Sequence, residues 1–387
     1  MIVGQFCDSY PPTLDGVARV TFSYCETLGK MGHAAYYIAP NNSDAPDYPF
    51  LNTILSPGVK IPTEQWHVGL PALGFKYRKN LKEIPFDIVH AQSPFIAGHE
   101  ALRIAKKLNV PLVSTFHSKY YDDFLQRTHS KKISKMLTKN LIEFYNKCDA
   151  VWAVNDGTAD VLREYGFGGK ITVMENGTDL EKVPPEVLEK MKQRIRYDKE
   201  TPLLIFVGRH NKQKNIQGVL ESCRILKDHN VKYRLVTAGD GPDYDKLVKL
   251  CHKLDLDNKV QFLGHIDDRA EIMALYSLAD LLVFPSLYDN APMVLREAAA
   301  MGTPGLLVSG STSAESLVDG ENALIARDDS PEAIADRIES GLTILETVGN
   351  NAQKTIPVSW DTIMERVVRE YSELIREKQG RIRERSI

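Results

Sequence analysis

Short apolar segments alternate with longer amphipathic segments along almost the whole of the 387-residue chain. The apolar segments have the length and the β-branched and aromatic content of buried strands. The predicted strands are 2–6, 34–39, 87–90, 112–116, 150–154, 171–174, 203–207, 233–238, 259–263, 281–284, 305–308 and 323–326. Strands that alternate with helices form parallel sheets covered by helices on both faces. The pattern therefore predicts an α/β protein.

The predicted strands fall into two comparable groups, which at this chain length indicates two domains. We expect two Rossmann-like, doubly wound parallel-sheet domains, at 1–180 and 201–358, that face each other across a cleft. Residues 181–200 are charged and bounded by prolines, and are predicted to be a linker that contains a helix. Residues 359–387 carry a last amphipathic helix. In such sheets ligands bind at the carboxyl ends of the strands.

Composition narrows the class of protein. The net charge of −3 gives no reason to expect a nucleic-acid partner. The five cysteines are scattered and lack metal-ligand spacing, which predicts reduced thiols and no metal site. The first residues lack the pattern of a signal peptide, and no apolar run approaches the ~20 residues of a membrane-spanning helix. We expect a cytoplasmic protein.

One stretch in the second half, residues 284–302, has the pattern of a strand end, a polar turn and a helix. Asn290 is the predicted N-cap, Pro292 suits an early helical position, and Gly302 suits the helix end. The free N–H groups and the positive dipole end of such a helix bind anions.

Two acids bracket this turn, Asp289 before the helix and Glu297 within it. Carboxylates repel phosphate, so these two suit a neutral group that is rich in hydroxyls. Phosphate on the helix amides and sugar hydroxyls on the acids together fit a nucleotide-sugar.

The same stretch resembles the acid-x7-acid signature of the retaining glycosyltransferases of group 1, the family four class. That signature reads Glu-Gly-Phe-Gly-x4-Glu-Ala-x-Ala-x-Gly, and Glu297-Ala-Ala-Ala-Met-Gly302 matches its second part. Asp289 stands in place of the first Glu, and Asn290-Ala291-Pro292 replaces Gly-Phe-Gly. The resemblance implies a GT-B fold, hexose hydroxyls on Asp289 and ribose hydroxyls on Glu297. It extends donor binding to Asn290, Ala291, Pro292, Met293 and Val294. Because Asp is one methylene shorter than Glu, the sugar must lie closer or be bridged by water.

A basic pair, Arg209 and Lys214, follows the predicted strand 203–207. Such a pair in a loop is normally a solvated one, but a planar guanidinium and an ammonium also suit a diphosphate. The segment resembles the family's Gly-Arg-x4-Lys motif, which implies a clamp that stabilises the diphosphate as leaving group without a metal or other cofactor. By the same resemblance Gly264 and His265 lie beside the nucleotide base.

In the first half, Gly16 precedes an amphipathic helix and His117 follows the predicted strand 112–116. Taken alone, these are an ordinary turn glycine and a structural histidine. The resemblance implies that His117 orients the donor sugar and that Gly16 lets the backbone approach the ligand. The family carries two adjacent glycines at this loop, and Asp15 takes the place of one.

Residues 130–144 are predicted to form a helix with two faces. Lys131, Lys132, Lys135 and Lys139 fall on one face, and Ile133, Met136, Leu137, Leu141 and Phe144 fall on the opposite face. The basic face is either solvated or adsorbs to anionic lipid. Residues 40–80 are predicted to be irregular. Trp66 there either fixes the loop or contacts a sugar or a lipid.

The resemblance covers nearly the whole chain and implies a retaining, metal-independent hexosyltransferase that uses a nucleoside-diphosphate sugar such as UDP-glucose. It also implies that the domain at 201–358 holds the donor, that the domain at 1–180 lies on the acceptor side, and that the helix in 359–387 crosses back to the first domain. Residues 6–17 look most like bacterial synthases that glycosylate diacylglycerol or a glycolipid, although a carbohydrate acceptor also fits. Such an enzyme would lie peripherally on the inner face of the membrane. Two alternatives are a nucleotide-sugar epimerase of the same fold and a binding protein with weakened catalysis.

Overall fold

The computed structural model describes residues 1–11, 16–42, 48–61, 67–180 and 182–385, with side chains described to residue 381. The chain divides into two compact units. Unit 1 comprises Met1–Gly177 and Trp360–Ile387, and unit 2 comprises Thr178–Ser359. Unit 1 is therefore built from two separate pieces of chain, and unit 2 from one.

Unit 1 contains a seven-stranded sheet in the order β3-β2-β1-β6-β7-β8-β9 and a separate two-stranded sheet, β4-β5. Neighbouring strands of the large sheet are parallel, whereas β4 and β5 are antiparallel. The strands are β1 (Ile2–Phe6), β2 (Ala34–Pro40), β3 (Asn52–Ser56), β4 (Gly58–Lys60), β5 (His67–Gly69), β6 (Ile88–Ala91), β7 (Leu112–Phe116), β8 (Ala150–Ala153) and β9 (Ile171–Val173).

The helices of unit 1 come from both of its pieces. They are α1 (Gly16–Lys30), α2 (Phe75–Glu83), α3 (Ile96–Leu108), α4 (Tyr120–Thr128), α5 (Lys131–Tyr145), α6 (Asp156–Glu164) and α14 (Trp360–Arg385), with a 3-10 turn at Pro71–Leu73. The buried face of α14 includes Trp360, Ile363, Met364, Val367 and Tyr371. This last helix is therefore part of the core of unit 1.

Unit 2 contains a six-stranded parallel sheet in the order β12-β11-β10-β13-β14-β15. The strands are β10 (Leu203–Val207), β11 (Arg234–Ala238), β12 (Val260–Phe262), β13 (Leu281–Val283), β14 (Gly305–Val308) and β15 (Leu324–Ala326). The helices are α7 (Pro185–Ile195), α8 (Ile216–Asp228), α9 (Tyr244–Lys253), α10 (Arg269–Leu278), α11 (Met293–Ala300), α12 (Pro331–Gly341) and α13 (Leu345–Thr355). Shorter 3-10 turns lie at Lys212–Lys214, Thr312–Ala314 and Leu342–Ile344.

In each large sheet the strand order reverses direction beside the first strand of the unit. The reversal lies between β1 and β6 in unit 1 and between β10 and β13 in unit 2. The loops after these strands diverge to opposite faces and leave a crevice at the carboxyl edge, where doubly wound sheets bind ligands. The two candidate regions are therefore the loops after β1 and β6 and the loops after β10 and β13.

The α/β prediction is confirmed, and a strand occupies each of the twelve predicted positions. The prediction that residues 40–80 are irregular is wrong, because this region contains β3, β4, β5 and α2. Each of these strands is at most five residues long, and prolines lie between them. Such short edge elements carry too little periodicity to be recognised. Trp66 lies outside the described residues.

Most of the segment predicted as a linker belongs to unit 2. Helix α7 spans Pro185–Ile195, and its Met191 and Ile195 are buried in the core of that unit. The charged residues on the exposed face of this helix gave the segment its linker-like composition.

The predicted burial of the basic helix is partly wrong. In α5, Ser134, Thr138, Leu141 and Tyr145 form the buried stripe, whereas Ile133 is 43% exposed and Met136 is 56% exposed. Ser134 and Thr138 can be buried because each hydroxyl bonds a carbonyl four residues earlier, at 2.8 and 2.9 Å. Two apolar side chains are thus left at the surface beside the lysines.

Across the described ranges, no helix is both long enough and apolar enough to cross a bilayer.

Candidate functional site

Unit 2 brings together the loops that follow β10 and β13. The side chain of Asn211 caps the 3-10 turn Lys212–Lys214 by accepting from the Lys214 amide at 3.3 Å. The Ser286 hydroxyl, after β13, donates to the Gln213 carbonyl at 3.2 Å. The short turn and the loop after β13 are therefore joined at the sheet edge.

An ion pair forms where these loops meet. The Lys214 ammonium donates to both oxygens of the Asp289 carboxylate, at 2.6 and 2.7 Å. Both side chains are largely buried, at 17% and 19% exposure. The ammonium also lies 5.3 Å from the centroid of the Phe284 ring, which stacks on Phe206. Two of the predicted site residues, 75 positions apart in sequence, are thus in direct contact.

Helix α11 begins directly after this ion pair. The prediction of Asn290 as N-cap is wrong, because the cap position is Pro292 and the first helical residue is Met293. No described side chain caps this end, so the amides of Met293 and Val294 retain their capacity to bind an anion. Asn290 is buried and Ala291 is partly exposed, next to the helix start.

Glu297, one turn into α11, is held by a buried network that sequence reasoning missed. Its carboxylate accepts from Arg269 at 2.9 Å and from the Tyr276 hydroxyl at 3.2 Å. Arg269 also pairs with Asp179 at 2.6 Å. Burial, and then the nearby carboxylate, raises the pKa of Tyr276 well above its ordinary value, so the hydroxyl remains a proton donor. Glu297 is therefore oriented by contacts on both of its oxygens.

The remaining predicted residues of unit 2 lie in neighbouring strand-end loops. The Gly239 amide, after β11, donates to the Gly264 carbonyl, after β12, at 2.8 Å. Arg209 follows β10 and is partly exposed. His265 lies further out, where its ring bonds Asp267 at 2.8 Å. The loops after β10, β11 and β12 therefore form one continuous edge.

Gly16 and His117 lie in unit 1, at the same kind of edge. Gly16 is the exposed first residue of α1, and a Cβ built on it would meet nothing within 4 Å. Asp15 lies outside the described residues. His117 directly follows β7, and its Nε2 lies 2.9 Å from the Gln92 amide oxygen, after β6.

A chain of buried hydrogen bonds extends from His117 to the last helix. The Gln92 amide nitrogen donates to Gln5 at 2.9 Å, and the Gln5 amide nitrogen donates to the Tyr371 hydroxyl at 3.0 Å. His90 Nδ1 lies 2.6 Å from the same hydroxyl. This network requires Nε2 of His117 to carry the proton, because a glutamine oxygen can only accept.

Burial lowers the pKa of His117 to about 4. His117 is therefore neutral near pH 7, and its imidazole is fixed in one tautomer by Gln92. In this tautomer Nδ1 is unprotonated, so at a ligand the neutral imidazole can only accept a hydrogen bond, and it contributes no positive charge.

Among the described ranges no group of three or more His, Cys, Asp or Glu side chains is placed to hold a metal ion.

Comparison with known proteins identifies the class of this chain. Residues 14–182 match the family profile described as Glycosyltransferase Family 4, and residues 188–354 match the profile described as Glycosyl transferases group 1. The two matches cover the parts of the chain that contain the candidate residues of both units.

The similar proteins include two synthases of one glycolipid. The alpha-monoglucosyldiacylglycerol synthase of Streptococcus pneumoniae is 27% identical over 79% of this chain and 70% of that protein. The enzyme of the same name from Acholeplasma laidlawii is 24% identical, over 84% of both chains. The glycogen synthase of Mycobacterium tuberculosis is 25% identical, over 81% of this chain and 80% of that protein.

Solved structures share the fold. Anabaena HepE, crystallised with UDP and glucose, has a TM-score of 0.75 at 18% identity, over 96% of this chain and 99% of that one. Sucrose-phosphate synthase from Thermosynechococcus elongatus has a TM-score of 0.79 at 17% identity, over 97% and 99%. The two parallel-sheet units thus place the chain in the class of proteins with the GT-B fold. Within that class, the chain belongs to the group 1, family four glycosyltransferases.

Proposed function

We propose that this protein transfers a hexose from a nucleoside-diphosphate sugar, UDP-glucose or a close analogue, to the hydroxyl of a membrane lipid. The transfer retains the anomeric configuration and uses no metal. Unit 2 binds the donor, and unit 1 binds the acceptor. Diacylglycerol or a glycosyl-diacylglycerol is the proposed acceptor.

The observation that carries the donor assignment is the Lys214–Asp289 pair at the start of α11. It combines a cation, a carboxylate and uncapped helix amides at the strand-order reversal of unit 2. An ammonium has three N–H donors, and the carboxylate uses two of them, so one is left for a phosphate oxygen. The carboxylate retains lone pairs that can accept from sugar hydroxyls.

The proposed chemistry is the loss of a diphosphate leaving group. Arg209, Lys214 and the amides of Met293 and Val294 stabilise the negative charge that develops on the leaving oxygen. Asp289 holds the hexose hydroxyls, and Glu297 holds the ribose hydroxyls. Because these cationic groups already oppose the charge of the diphosphate, the reaction needs no metal.

In unit 1, neutral His117 orients the donor sugar through a hydrogen bond. Its tautomer is set by Gln92, so the group that it presents does not change with pH near neutrality. Gly16, at the start of α1, allows close approach of the backbone to the ligand.

The lipid acceptor is supported by the names of two relatives and by two basic surfaces of unit 1. On α5, exposed Ile133 and Met136 lie among four exposed lysines. On and before α2, Leu73 and Phe75 are 75% and 78% exposed, and the exposed cations Lys76, Arg78, Lys79 and Lys82 follow. Exposed apolar side chains beside basic ones suit an anionic lipid surface.

A thermal-shift panel of nucleotide-sugars and nucleotides tests donor binding. A ligand that binds only the folded protein raises its melting temperature, so one nucleotide-sugar and its nucleoside diphosphate should do so. Lys214→Ala should weaken that affinity at least about tenfold, which is the effect of removing a charge-assisted contact of about 1.4 kcal/mol. Lys212→Ala, in the same turn but exposed, is the matched control. Equal affinities in the two variants would remove Lys214 from the donor site.

Product analysis then tests the transfer. With the stabilising donor and diacylglycerol in vesicles, the expected product is an α-linked glycolipid from an α-linked donor, formed equally with and without EDTA. Conversion of the donor without acceptor would instead indicate an epimerase. Donor binding without turnover of any acceptor would indicate a binding protein.

Vesicle sedimentation tests the membrane surface. Changing Lys131, Lys132, Lys135 and Lys139 to Gln should lower binding to anionic vesicles on the order of a hundredfold or more at low salt, since each basic residue contributes about 1 kcal/mol. The control changes four exposed lysines of unit 2, Lys232, Lys246, Lys249 and Lys253, to Gln. If both quadruple variants lose binding equally, the effect is one of net charge and not of α5.

A further inference from the structure

Unit 1 contains a cavity of about 650 Å³, open at the surface, between α3, α4 and α5. Its walls are mainly apolar and include Phe95 and Ile96 at the start of α3, Phe124 on α4, and Leu137 and Leu141 on α5. The volume is in the range of small-molecule sites, which is roughly 300–1,000 Å³. None of these five residues has a part in the donor site described above.

The lining of the cavity includes aromatic side chains and an acid that is paired with a cation. Phe95 packs edge-on against Tyr120, with centroids 5.3 Å apart. The one acid in the lining, Glu100, is bonded by Arg103 through two contacts, at 2.6 and 2.9 Å. Because its carboxylate is already paired, the cavity favours an apolar ligand over a cation.

The lining of the cavity includes residues that follow closely in sequence after the strand end that contacts His117. Gln92, which bonds His117, lies three residues before Phe95. Asp8, after β1, accepts from the Ser93 hydroxyl at 2.6 Å and from the Ala97 amide at 2.8 Å. These contacts fix the start of α3 relative to the edge where Gly16 and His117 lie. A ligand in the cavity would therefore have one end near the proposed acceptor edge.

The surroundings of the cavity indicate where its ligand comes from. Ile96 and Phe95 are 38% and 40% exposed, and they continue the apolar lining to the surface. Leu137 lies on α5, the helix that carries the four exposed lysines. Pro71, also in the lining, lies two residues before the exposed Leu73. Both basic surfaces thus lie on elements that also supply lining residues or directly follow them in sequence, as expected if the occupant arrives from an anionic bilayer.

We propose that this cavity binds one fatty-acyl chain of the lipid acceptor while the acceptor hydroxyl lies at the edge near His117. The proposal rests on the proposed function, since it specifies how a lipid acceptor is held. It commits to the acceptor's own chain and not to a chain of a bulk phospholipid. The enzyme should accordingly discriminate acceptors by chain length, and not only by headgroup.

A cavity-filling variant tests this. Leu137→Trp narrows the cavity, whereas Asn146→Trp adds the same side chain at the exposed C-terminal end of the same helix, outside the lining and at a residue with no proposed role in membrane binding. With dioleoylglycerol in phosphatidylglycerol vesicles, Leu137→Trp should lower kcat/KM about tenfold, the equivalent of roughly two methylenes left unburied. With water-soluble dihexanoylglycerol, and in vesicle sedimentation, it should equal the wild type. Asn146→Trp should keep the wild-type ratio of the two kcat/KM values. Equal loss on both acceptors, or no loss on either, would overturn the proposal.

Photolabelling gives a second, independent readout on the wild-type protein. Diacylglycerol with a diazirine at mid-chain, in the same vesicles, should label peptides that contain residues 94–103 and 137–141. Labelling elsewhere, or equal labelling of the cavity by diazirine phosphatidylcholine, would contradict an acceptor-chain site. Failure of the proposed function gives a different result. If the wild-type enzyme glycosylates neither dioleoylglycerol nor dihexanoylglycerol, the proposal of a lipid acceptor is wrong, whatever the role of the cavity.

Discussion

Arg269 lies behind Glu297 and touches it at one oxygen, while its other arm pairs with Asp179. We expect Arg269→Ala to raise the KM for the donor about tenfold with little change in kcat, because a contact of about 1.4 kcal/mol that orients Glu297 is lost. The variant should also lose about 2 kcal/mol of stability, because a largely buried carboxylate loses its charged partner.

Steady-state kinetics and urea unfolding check both effects. Arg269→Lys should restore part of the donor affinity, since it returns the charge without the planar fork. A folded Arg269→Ala protein with the wild-type KM would show that Glu297 does not depend on this arginine.

His117 gives a prediction about pH. Its pKa in the folded protein is about 4, whereas the unfolded chain has the ordinary value near 6.5. Between these two values the unfolded state binds a proton that the folded state does not, so the stability that depends on neutral His117 is complete above pH 6.5 and is lost as the pH falls towards 4. His117 contributes at most about 1.4 kcal/mol per pH unit to the slope of the unfolding free energy against pH.

Urea unfolding at pH 7, 6 and 5 measures this slope. His117→Gln should reduce the loss of stability on acidification, whereas His129→Asn, which removes an exposed imidazole, should not. If both variants follow the wild-type curve, His117 titrates normally in the folded state.

The site residues that were predictable from sequence are those within a recognisable motif. Lys214, Asp289 and Glu297 each lie in such a motif, and the structure places the first two in contact. Arg269, Tyr276 and Asp179 carry no local signal, because their role exists only through contacts made across 21 or more positions of sequence. Asn290 was a reasonable N-cap by residue type, but the proline two positions later starts the helix further on.

At the level of elements, the strand-end loops of unit 2 pack so closely at one point that an added side-chain atom would not fit. Gly239 has φ of +135°, and a Cβ there would lie 2.0 Å from the Gly208 carbonyl oxygen. Gly239→Ala should therefore destabilise the protein by at least about 2 kcal/mol.

Gly264→Ala is the matched comparison in the neighbouring loop. Gly264 also has positive φ, at +69°, but a Cβ there would meet nothing within 4 Å. Gly264→Ala should therefore lower the free energy of unfolding by only about 1 kcal/mol, which is the cost of holding an alanine in a left-handed backbone conformation. Equal unfolding free energies for the two variants, measured in urea, would show that the loops separate without penalty.

Elements with a strong local hydrophobic pattern were predictable from sequence. Elements that depend on packing against neighbouring elements were not. The central strands are continuous apolar runs, so β1, β7 and β10 end at the predicted residues. Strand β3 alternates too briefly to stand out, and its pairing with β2 defines it. In α5, the buried face includes Ser134 and Thr138 and leaves Ile133 and Met136 exposed, because hydroxyls that bond their own helix pack like small apolar groups.

At the scale of the whole molecule, the two units differ in how much chain they require. The buried hydrophobic core of unit 2, among the described residues, comes from one continuous stretch of chain between Met191 and Ile356. We expect residues 178–359, produced alone, to unfold cooperatively and to be stabilised by the donor nucleotide. Residues 1–177 alone should lack a cooperative transition, because α14 no longer covers their core.

Adding the segment 360–387 in trans tests that expectation. It should restore cooperative unfolding to residues 1–177, as followed by circular dichroism, because it returns Tyr371 to its stack on Trp152, 5.6 Å apart. A cooperative transition of 1–177 without the peptide would show that the helix is dispensable.

The discontinuity of unit 1 has a consequence for synthesis on the ribosome. Thr178 and Ser359 pair with each other inside unit 2, so the chain enters and leaves that unit at adjacent points. Unit 2 can be complete as soon as residue 359 has left the exit tunnel. Unit 1, although it is synthesised first, must wait for the last helix. The earliest-made residues are therefore among the last to reach their native packing, and during that interval nascent-chain chaperones would meet the exposed core of unit 1.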